Sequence, residues 1–142
     1  MYSPLLVQPM RDELVSIGFQ ELRTAEDVEA FMADKSGSAL LVVNSVCGCA
    51  AGQARPGIRA ALEADVKPDR LATVFAGQDV EAAAKARSYF ADIPPSSPSM
   101  ALFNQGELVY FLPRHRIENR SADEVAADLT QAFARDLAAP VS

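Results

Sequence analysis

The chain has 142 residues, 49% of them hydrophobic, and a net charge of -6 at pH 7, which fits one compact domain with a core of its own. An acidic chain is a poor nucleic-acid binder, because phosphate recognition needs a basic face. No apolar run reaches the ~20 residues of a membrane span. Met1 to Met10 lack the charged and apolar regions of a secretory signal, so we expect a cytoplasmic protein.

Two helices are predicted before the first strand. Apolar residues recur at helical spacing over residues 4–17, although Pro9 inside this segment limits the expected helix to about 9–17. A second helix is expected over residues 25–35, because Thr24 is a good N-cap.

Two buried strands are predicted next, each followed by a helix. The apolar runs Ala39 to Val46 and Leu71 to Ala76 are typical of central parallel strands covered on both faces. Residues 49–63 follow the first strand as a helix, in which Pro56 is expected to produce a kink. Residues 79–90 follow the second strand as an alanine-rich helix.

A hairpin and a last helix complete the predicted elements. The apolar runs Met100 to Phe103 and Leu108 to Leu112 are separated by the polar segment Asn104 to Glu107, which contains glycine and predicts the hairpin turn. Ser121 then caps a helix predicted over about 122–138.

The element order after the two leading helices is β, α, β, α, β, β, α, which predicts an α/β fold with a parallel pair and an antiparallel hairpin. This order resembles the thioredoxin fold, a four-stranded mixed sheet flanked by helices. We expect one such domain over residues 1–142, with residues 1–36 forming an N-terminal helical extension packed on it.

Both cysteines of the chain lie at the junction between the first predicted strand and its helix. A thiolate is the reactive form of cysteine, and the free N–H groups at a helix start lower a thiol pKa from its usual value of about 8.5. Cys47 should lie just before the helix and act as the nucleophile. Cys49 should lie in the first turn, more buried, and act as the resolving thiol. Gly48 is expected to permit the unusual backbone that brings the two sulfurs together.

Several interpretations of the cysteine pair are compatible with the sequence. A disulfide between Cys47 and Cys49 would close a very small ring, whose strain favours a couple that exchanges or isomerises disulfides. Two buried core cysteines or a structural disulfide are weaker alternatives. One chain supplies only these two cysteines and His115, too few for a tetrahedral zinc site, so no metal is expected within it. Two other interpretations stay open. The cysteines could hold a metal or iron–sulfur cluster bridged between two subunits, or the chain could be a redox-sensing interaction protein.

Proline-rich residues 93–99 precede the predicted hairpin. In a thioredoxin-like sheet, the strand after the long crossover begins with a cis proline that faces the thiols, and Pro98 stands directly before the apolar run. The Ser97–Pro98 bond is therefore our candidate for a cis peptide, and the alternative is an ordinary proline-rich loop. Such a position would leave the Ser97 backbone free to pair with a substrate.

Basic residues are few, and most are arginines. Arg55 follows the thiols by two helical turns, while Arg114 begins a basic cluster with His115, Arg116 and Arg120. Because a guanidinium binds carboxylates well, Arg55 and Arg114 are candidates for binding an acidic thiol ligand. A solvated loop is the alternative for the cluster, and none of its four residues is expected to be catalytic.

Over nearly its whole length the sequence resembles the bacilliredoxins, small bacterial thioredoxin-like proteins with a Cys-Gly-Cys site. The resemblance rests on five blocks that occur in order: VVNSVCGCAAG (residues 42–52), ARP (54–56), TVFAGQD (73–79), PSSPSMAL (95–102) and PRH (113–115).

The resemblance implies an oxidoreductase that removes bacillithiol from protein mixed disulfides, and it also implies disulfide isomerase activity. Cys47 would take the bacillithiol and free the protein thiol, and Cys49 or a second bacillithiol would regenerate Cys47. The expected partners are S-bacillithiolated or disulfide-bonded proteins and the low-molecular-weight thiol itself. No cofactor is expected apart from bacillithiol as the exchanging thiol. The chain is expected to be a monomer or a weak dimer.

Overall fold

The apolar runs predicted as buried strands form the centre of a mixed sheet in the computed structural model, which describes residues 1–137. The helices and strands are, in chain order, α1 (Pro4–Val15), β1 (Gln20–Glu21), α2 (Ala25–Ala33), β2 (Ser38–Asn44), α3 (Arg55–Ala61), β3 (Arg70–Phe75), α4 (Val80–Arg87), β4 (Ser99–Asn104), β5 (Glu107–Leu112) and α5 (Ala122–Asp136). The α/β class and the order of these elements are as predicted.

The sheet has the strand order β1-β3-β2-β4-β5. Strand β2 pairs in parallel with β3 and antiparallel with β4, and all seven of its residues are buried. Leu40 and Val42 enter a core formed with α1, α3 and α5, whereas Leu41 and Val43 enter a second core formed with α2 and α4. Both faces of β2 are therefore covered by helices, which explains its continuous apolar sequence.

The expectation of four strands was wrong, because residues 1–137 form a five-stranded sheet. The additional strand β1 pairs in parallel with β3 at the sheet edge, and the Leu22 N–H continues this pairing by donating to the Thr73 carbonyl at 2.9 Å. Strand β1 consists of two polar residues, so it has no apolar alternation that a sequence pattern could reveal. The segment 1–36 thus contributes a strand to the sheet as well as two helices.

Helix α1 begins earlier than predicted and continues through Pro9. Ser3 caps it, and Pro4 occupies the first turn, where its missing N–H has no intrahelical partner to lose. Pro9 can leave only the Leu5 carbonyl without its helical partner, and Leu5 is 87% exposed in the first turn. The buried Arg11 then fixes the helix through an ion pair with the partly buried Asp79, at 2.7 Å.

Two elements end earlier than predicted, because side chains at their ends accept hydrogen bonds from the local backbone. Helix α2, capped by Thr24 as expected, ends at Ala33 rather than 35, and the Asp34 carboxylate then accepts the Ser36 N–H at 3.0 Å. Strand β2 ends at Asn44 rather than Val46, because the Asn44 Oδ1 accepts the next N–H of the chain at 2.9 Å. The helix predicted over 79–90 is α4 followed by a 3-10 turn.

The predicted hairpin turn is confirmed as a two-residue connection between β4 and β5. Gln105 has a φ of 52° and Gly106 a φ of 83°, so both central residues are left-handed, as in the turn type that matches the twist of paired strands. A Cβ at Gly106 would lie 2.8 Å from the Lys35 side chain. Glycine is therefore favoured there by both conformation and space.

Helix α5 has the predicted capping box, in which Ser121 and Glu124 exchange hydrogen bonds at 3.1 and 3.0 Å. The helix ends at Asp136, and position 138 of the predicted span lies outside the described residues. No helix within residues 1–137 has the length and apolar character that a membrane span needs.

Close packing of α3 against α5 predicts a destabilising effect of Gly57→Ala. A Cβ at Gly57 would lie 2.7 Å from the Val125 Cγ1 and 3.1 Å from the Ala122 carbonyl oxygen. We expect the free energy of unfolding to fall by about 1–3 kcal/mol, measured by urea denaturation. Gly52→Ala is the control, because a Cβ there meets no atom within 4 Å, so its stability should be unchanged or rise by up to about 1 kcal/mol. Equal stabilities of the two variants would contradict this account of the interface.

Candidate active site

The site begins where the chain leaves β2 at the carboxyl end of the parallel strands. Asn44 Oδ1 accepts the Ser45 N–H at 2.9 Å, and Ser45 Oγ accepts the Cys47 N–H at 3.0 Å. The Ala76 N–H donates to the Asn44 carbonyl at 3.0 Å and joins this turn to the end of β3. These short bonds determine the path of the chain into the cysteine pair.

Both cysteines are free thiols, and their sulfur atoms lie 2.9 Å apart. Gly48 and Cys49 are already helical in conformation, and the Cys47 carbonyl accepts the Ala50 N–H at 2.9 Å. Cys47 therefore stands at the start of a helical segment, as predicted. Cys49 packs against the core formed with α1, α3 and α5.

The two thiols differ in acidity. The pKa of Cys47 is lowered, first by the hydrogen bond from the Cys49 thiol and then by the Cys49 N–H, the charge of Arg114 and the Ala50 N–H. The pKa of Cys49 is raised to about 11, first by burial and then by the hydrogen bond and charge of Cys47. Because the thiolate is the nucleophile, this asymmetry favours attack by Cys47.

The backbone role expected of Gly48 was wrong for the reduced protein. The φ of Gly48 lies outside the left-handed region, because the residue is already part of the helical segment. Gly48 is exposed, and a Cβ built on it meets no atom within 4 Å. Gly48 therefore places no side chain between the two cysteines of the motif.

The helix after the cysteines begins as a π-helical turn, Ala50–Ala54, before it continues as α3. The Arg55 N–H donates to the Ala50 carbonyl, which is the wide spacing of a π turn. The kink expected at Pro56 stays a prediction, and the irregularity that the structure shows is the π turn Ala50–Ala54, which ends two residues before that proline. Such turns are frequent at functional sites, and this one directly precedes Arg55.

The substrate-binding role expected of Arg55 is corrected by its position, since Arg55 is only 4% exposed. Its guanidinium donates to the Glu13 carboxylate at 2.8 Å, to Asn44 Oδ1 at 2.9 Å and to the Ser45 carbonyl at 3.0 Å. The side chain thus joins α1, α3 and the end of β2 beneath the cysteine turn. Arg55 is a positioning residue for the thiols.

The Ser97–Pro98 peptide bond is cis, as expected from its place before β4. Ser99 pairs with Val43 in the antiparallel ladder, so the loop before it lies at the same end of the sheet as the thiols. Pro98 is buried, and the Ser97 carbonyl lies 3.5 Å from Arg114 Nη1. Within residues 1–137 the Ser97 N–H donates no hydrogen bond, so it is free to pair with a ligand.

Arg114 is the member of the predicted basic cluster whose charge acts on both thiols. Its backbone N–H donates to Ser96 Oγ at 3.2 Å, and its Nε donates to Glu118 at 3.0 Å. Arg116 and Arg120 instead pair with Asp128 on α5. The structure therefore separates Arg114 from the other arginines of the cluster.

Sequence reasoning missed the residues that support the site. Glu13 is 42 positions from Arg55, so their ion pair has no local sequence signal. Ser45 could have been recognised as a turn residue that bonds to a following N–H. The spacing of Glu118 four residues after Arg114 could also have indicated their ion pair. Among residues 1–137, no cluster of three or more His, Cys, Asp or Glu side chains could hold a metal ion.

A reduced cysteine pair at a helix start, beside a cis-proline loop in a sheet of this order, defines a thioredoxin-fold protein of the thiol–disulfide oxidoreductase class. A family model described as disulphide isomerase matches residues 2–136. A bacilliredoxin of Geobacillus kaustophilus is 57% identical over 133 residues, which cover 93% of this chain and 92% of that protein. The chain belongs to the bacilliredoxin family.

One further comparison supports the family and another supports the fold. A bacilliredoxin of Cytophaga hutchinsonii is 55% identical over 133 residues, which cover 94% of this chain and 98% of that protein. The structure of Fasciola hepatica thioredoxin superposes with a TM-score of 0.58 at 18% identity, covering 82% of this chain and 98% of that one. At that identity the second likeness supports the fold alone.

The unequal acidities predict selective alkylation of one thiol. At pH 7 iodoacetamide should modify Cys47 first, because its lowered pKa leaves more thiolate there than in a free cysteine, whereas Cys49 with a pKa of about 11 stays protonated. The rate should fall as the pH decreases through the Cys47 pKa. Mass spectrometry of the modified peptide measures both effects. Cys49→Ala should slow the reaction at pH 7, because it removes the thiol donor, and Cys49→Ser should largely preserve it. Faster alkylation of Cys49 would contradict the assignment.

The bonds of Arg55 predict a second, structural effect. Arg55→Met should lower the free energy of unfolding by about 1–3 kcal/mol, because buried acceptors on Asn44 and Ser45 lose their donor. It should also raise the pKa of Cys47, read from the pH dependence of alkylation, as the cysteine turn loosens. Arg55→Lys, which retains one donor group, should lie between the two. Arg59→Met is the control for loss of a charge, since Arg59 is exposed on the same helix. A wild-type alkylation profile in Arg55→Met would exclude the positioning role.

Proposed function

We propose that this protein removes bacillithiol, or a similar low-molecular-weight thiol, from mixed disulfides on other proteins. The observation that carries the proposal is the unequal pair of free thiols, with an acidic Cys47 at a helix start and a weakly acidic Cys49 beside it. The membership in the bacilliredoxin family supports the choice of thiol. The protein would act in the reducing cytoplasm on S-thiolated client proteins.

In the first step the Cys47 thiolate attacks the sulfur of the low-molecular-weight thiol. A disulfide forms between Cys47 and that thiol, the original disulfide breaks, and the client cysteine leaves as a thiolate that takes up a proton. Gly48 is exposed and has no side chain, so it adds no bulk beside Cys47 in the motif. The charge of Arg114 lowers the pKa of Cys47 and so stabilises the attacking thiolate.

In the second step the small thiol leaves Cys47 by one of two routes, of which the first leaves an internal disulfide that another thiol must then reduce. Cys49 loses its proton and attacks the Cys47 sulfur, which releases the low-molecular-weight thiol and leaves a disulfide between the two cysteines. The 2.9 Å separation of the sulfurs places Cys49 within reach of this step. Alternatively, a second low-molecular-weight thiol attacks its bound counterpart, which yields the free Cys47 thiolate and a symmetrical disulfide of the small thiol.

Disulfide isomerisation is a second candidate activity, because the matching family model is described as disulphide isomerase. Here Cys47 would attack a disulfide within a client protein and form a mixed disulfide with one of its cysteines. The freed client thiolate could then attack a different sulfur and release Cys47. The free Ser97 N–H would pair with the extended client segment in this reaction, as β-strand edges do.

The proposed roles predict different intermediates in two variants. With a bacillithiolated client protein, Cys47→Ala should release the adduct no faster than uncatalysed exchange, because the nucleophile is absent. Cys49→Ala should accumulate a mixed disulfide between Cys47 and bacillithiol, because the resolving thiol is absent. Intact-mass spectrometry under non-reducing conditions follows both the client and this protein.

Two results would contradict the roles. Release at the wild-type rate by Cys47→Ala would exclude Cys47 as nucleophile, and absence of the mixed disulfide in Cys49→Ala would exclude resolution by Cys49. Metal analysis of the purified protein addresses the alternative of a site bridged between two subunits. Stoichiometric iron or zinc would support that alternative over thiol exchange.

A further inference from the structure

A groove of about 330 Å³ opens beside the cis-proline loop. Its walls come from the proline-rich segment before β4 and from the turn after β5. The residues that line it are Ile93, Pro94, Pro95, Ser96, Pro113, Arg114, His115 and Glu118. A cavity of this volume lies within the range found for small-molecule sites, which are mostly apolar with a few polar groups.

Arg114 connects this groove to the thiols. Arg114 lines the groove, and its Nη1 lies 3.5 Å from the Ser97 carbonyl in the cis-proline loop, at the end of the sheet where the thiols lie. Its charge favours the thiolate form of Cys47. The loop across the groove is fixed to it through the Ser96 hydroxyl, which accepts the Arg114 N–H at 3.2 Å. A ligand bonded to Cys47 through sulfur could therefore extend past Arg114 into the groove.

The Arg114 guanidinium is paired with the Glu118 carboxylate in the structure. That carboxylate accepts from Arg114 Nε at 3.0 Å, and both side chains are more than 40% exposed, at 44% for Arg114 and 41% for Glu118. An ion pair this exposed is weak, so a second carboxylate can compete for the same donor. The pair lies on the wall of the groove, where a ligand would meet it.

We propose that the groove binds the body of a carboxylate-bearing low-molecular-weight thiol, with its carboxylate on Arg114 and with Glu118 as the built-in competitor that this carboxylate must displace. This proposal rests on the proposed thiol exchange at Cys47 and names the class of thiol. Arg114 gives selectivity for acidic thiols, and Glu118 limits how tightly they are held. An acidic protein with net charge -6 would otherwise repel such a ligand.

The test uses one neutral reporter peptide that carries a single cysteine, joined either to mercaptosuccinate or to 2-mercaptoethanol. The measured quantity is the ratio of kcat/KM for the acidic and the neutral mixed disulfide. This ratio cancels changes in the reactivity of Cys47, because the same thiolate attacks both substrates. Arg114→Gln should lower the ratio about two- to fivefold, and Glu118→Gln should raise it by a similar factor, as expected for an exposed ion pair.

The double variant distinguishes competition for Arg114 from simple repulsion. If Glu118 acts through Arg114, the double variant Arg114→Gln, Glu118→Gln should have the same ratio as Arg114→Gln alone. If Glu118→Gln raises the ratio equally in both backgrounds, repulsion explains the effect and the proposed competition is wrong. Arg59→Gln and Glu63→Gln are matched controls, because both residues are exposed elsewhere on the surface, and neither should change the ratio.

A second reporter peptide, with aspartates next to its cysteine, tests whether the groove holds the client instead. If Arg114→Gln lowers kcat/KM for the acidic peptide and leaves the mercaptosuccinate ratio unchanged, the groove binds the client and the proposal is overturned. An unchanged ratio in both single variants also overturns it. Neither result affects the proposed exchange at Cys47, whose failure would instead appear as full activity of Cys47→Ala on both disulfides.

Discussion

The geometry of the site depends on one buried guanidinium. Arg55 reaches back from α3 and binds Glu13 on α1 together with the Asn44 side chain and the Ser45 carbonyl. Burying an arginine costs free energy unless its N–H groups are hydrogen-bonded. Arg55 and its three acceptors therefore hold one another in position. The cysteine turn starts at Ser45, one of these acceptors, so the same hydrogen bonds fix where the turn begins. The π turn before Arg55 is the local irregularity at the point where α3 brings this side chain to the end of β2.

The unequal acidity of the cysteines follows from placing two thiols in contact. One negative charge on the pair is stabilised by the remaining S–H donor, whereas a second charge would be repelled, so the pair loses its protons in two separated steps. Position decides which sulfur carries the first charge. Cys47 receives N–H groups from the helical segment and the field of Arg114, while burial against the core disfavours the charge on Cys49.

Local patterns made much of this structure predictable. The apolar run of β2, the cap of α5 and the place of Pro98 are visible in short segments, and each was found where it was expected. Two of the failed predictions depended on distant partners. Strand β1 exists through pairing with β3, and Arg55 has a role fixed by a glutamate 42 residues away. The position of the cysteines between a strand and a helix indicated the site, but it could not show that Gly48 has an ordinary helical conformation.

The Arg114 guanidinium interacts with two anions, the Cys47 thiolate and the Glu118 carboxylate. The Cys47 thiolate benefits from its charge at all times, whereas Glu118 holds its Nε only in an exposed pair. Because such pairs contribute little free energy in water, the guanidinium can exchange one carboxylate for another without leaving the thiols. Arg55 differs in that its guanidinium is buried and donates to three acceptors at once. The two arginines thus differ in role because they differ in exposure. The buried Arg55 fixes the cysteine turn, and the exposed Arg114 remains available to a ligand.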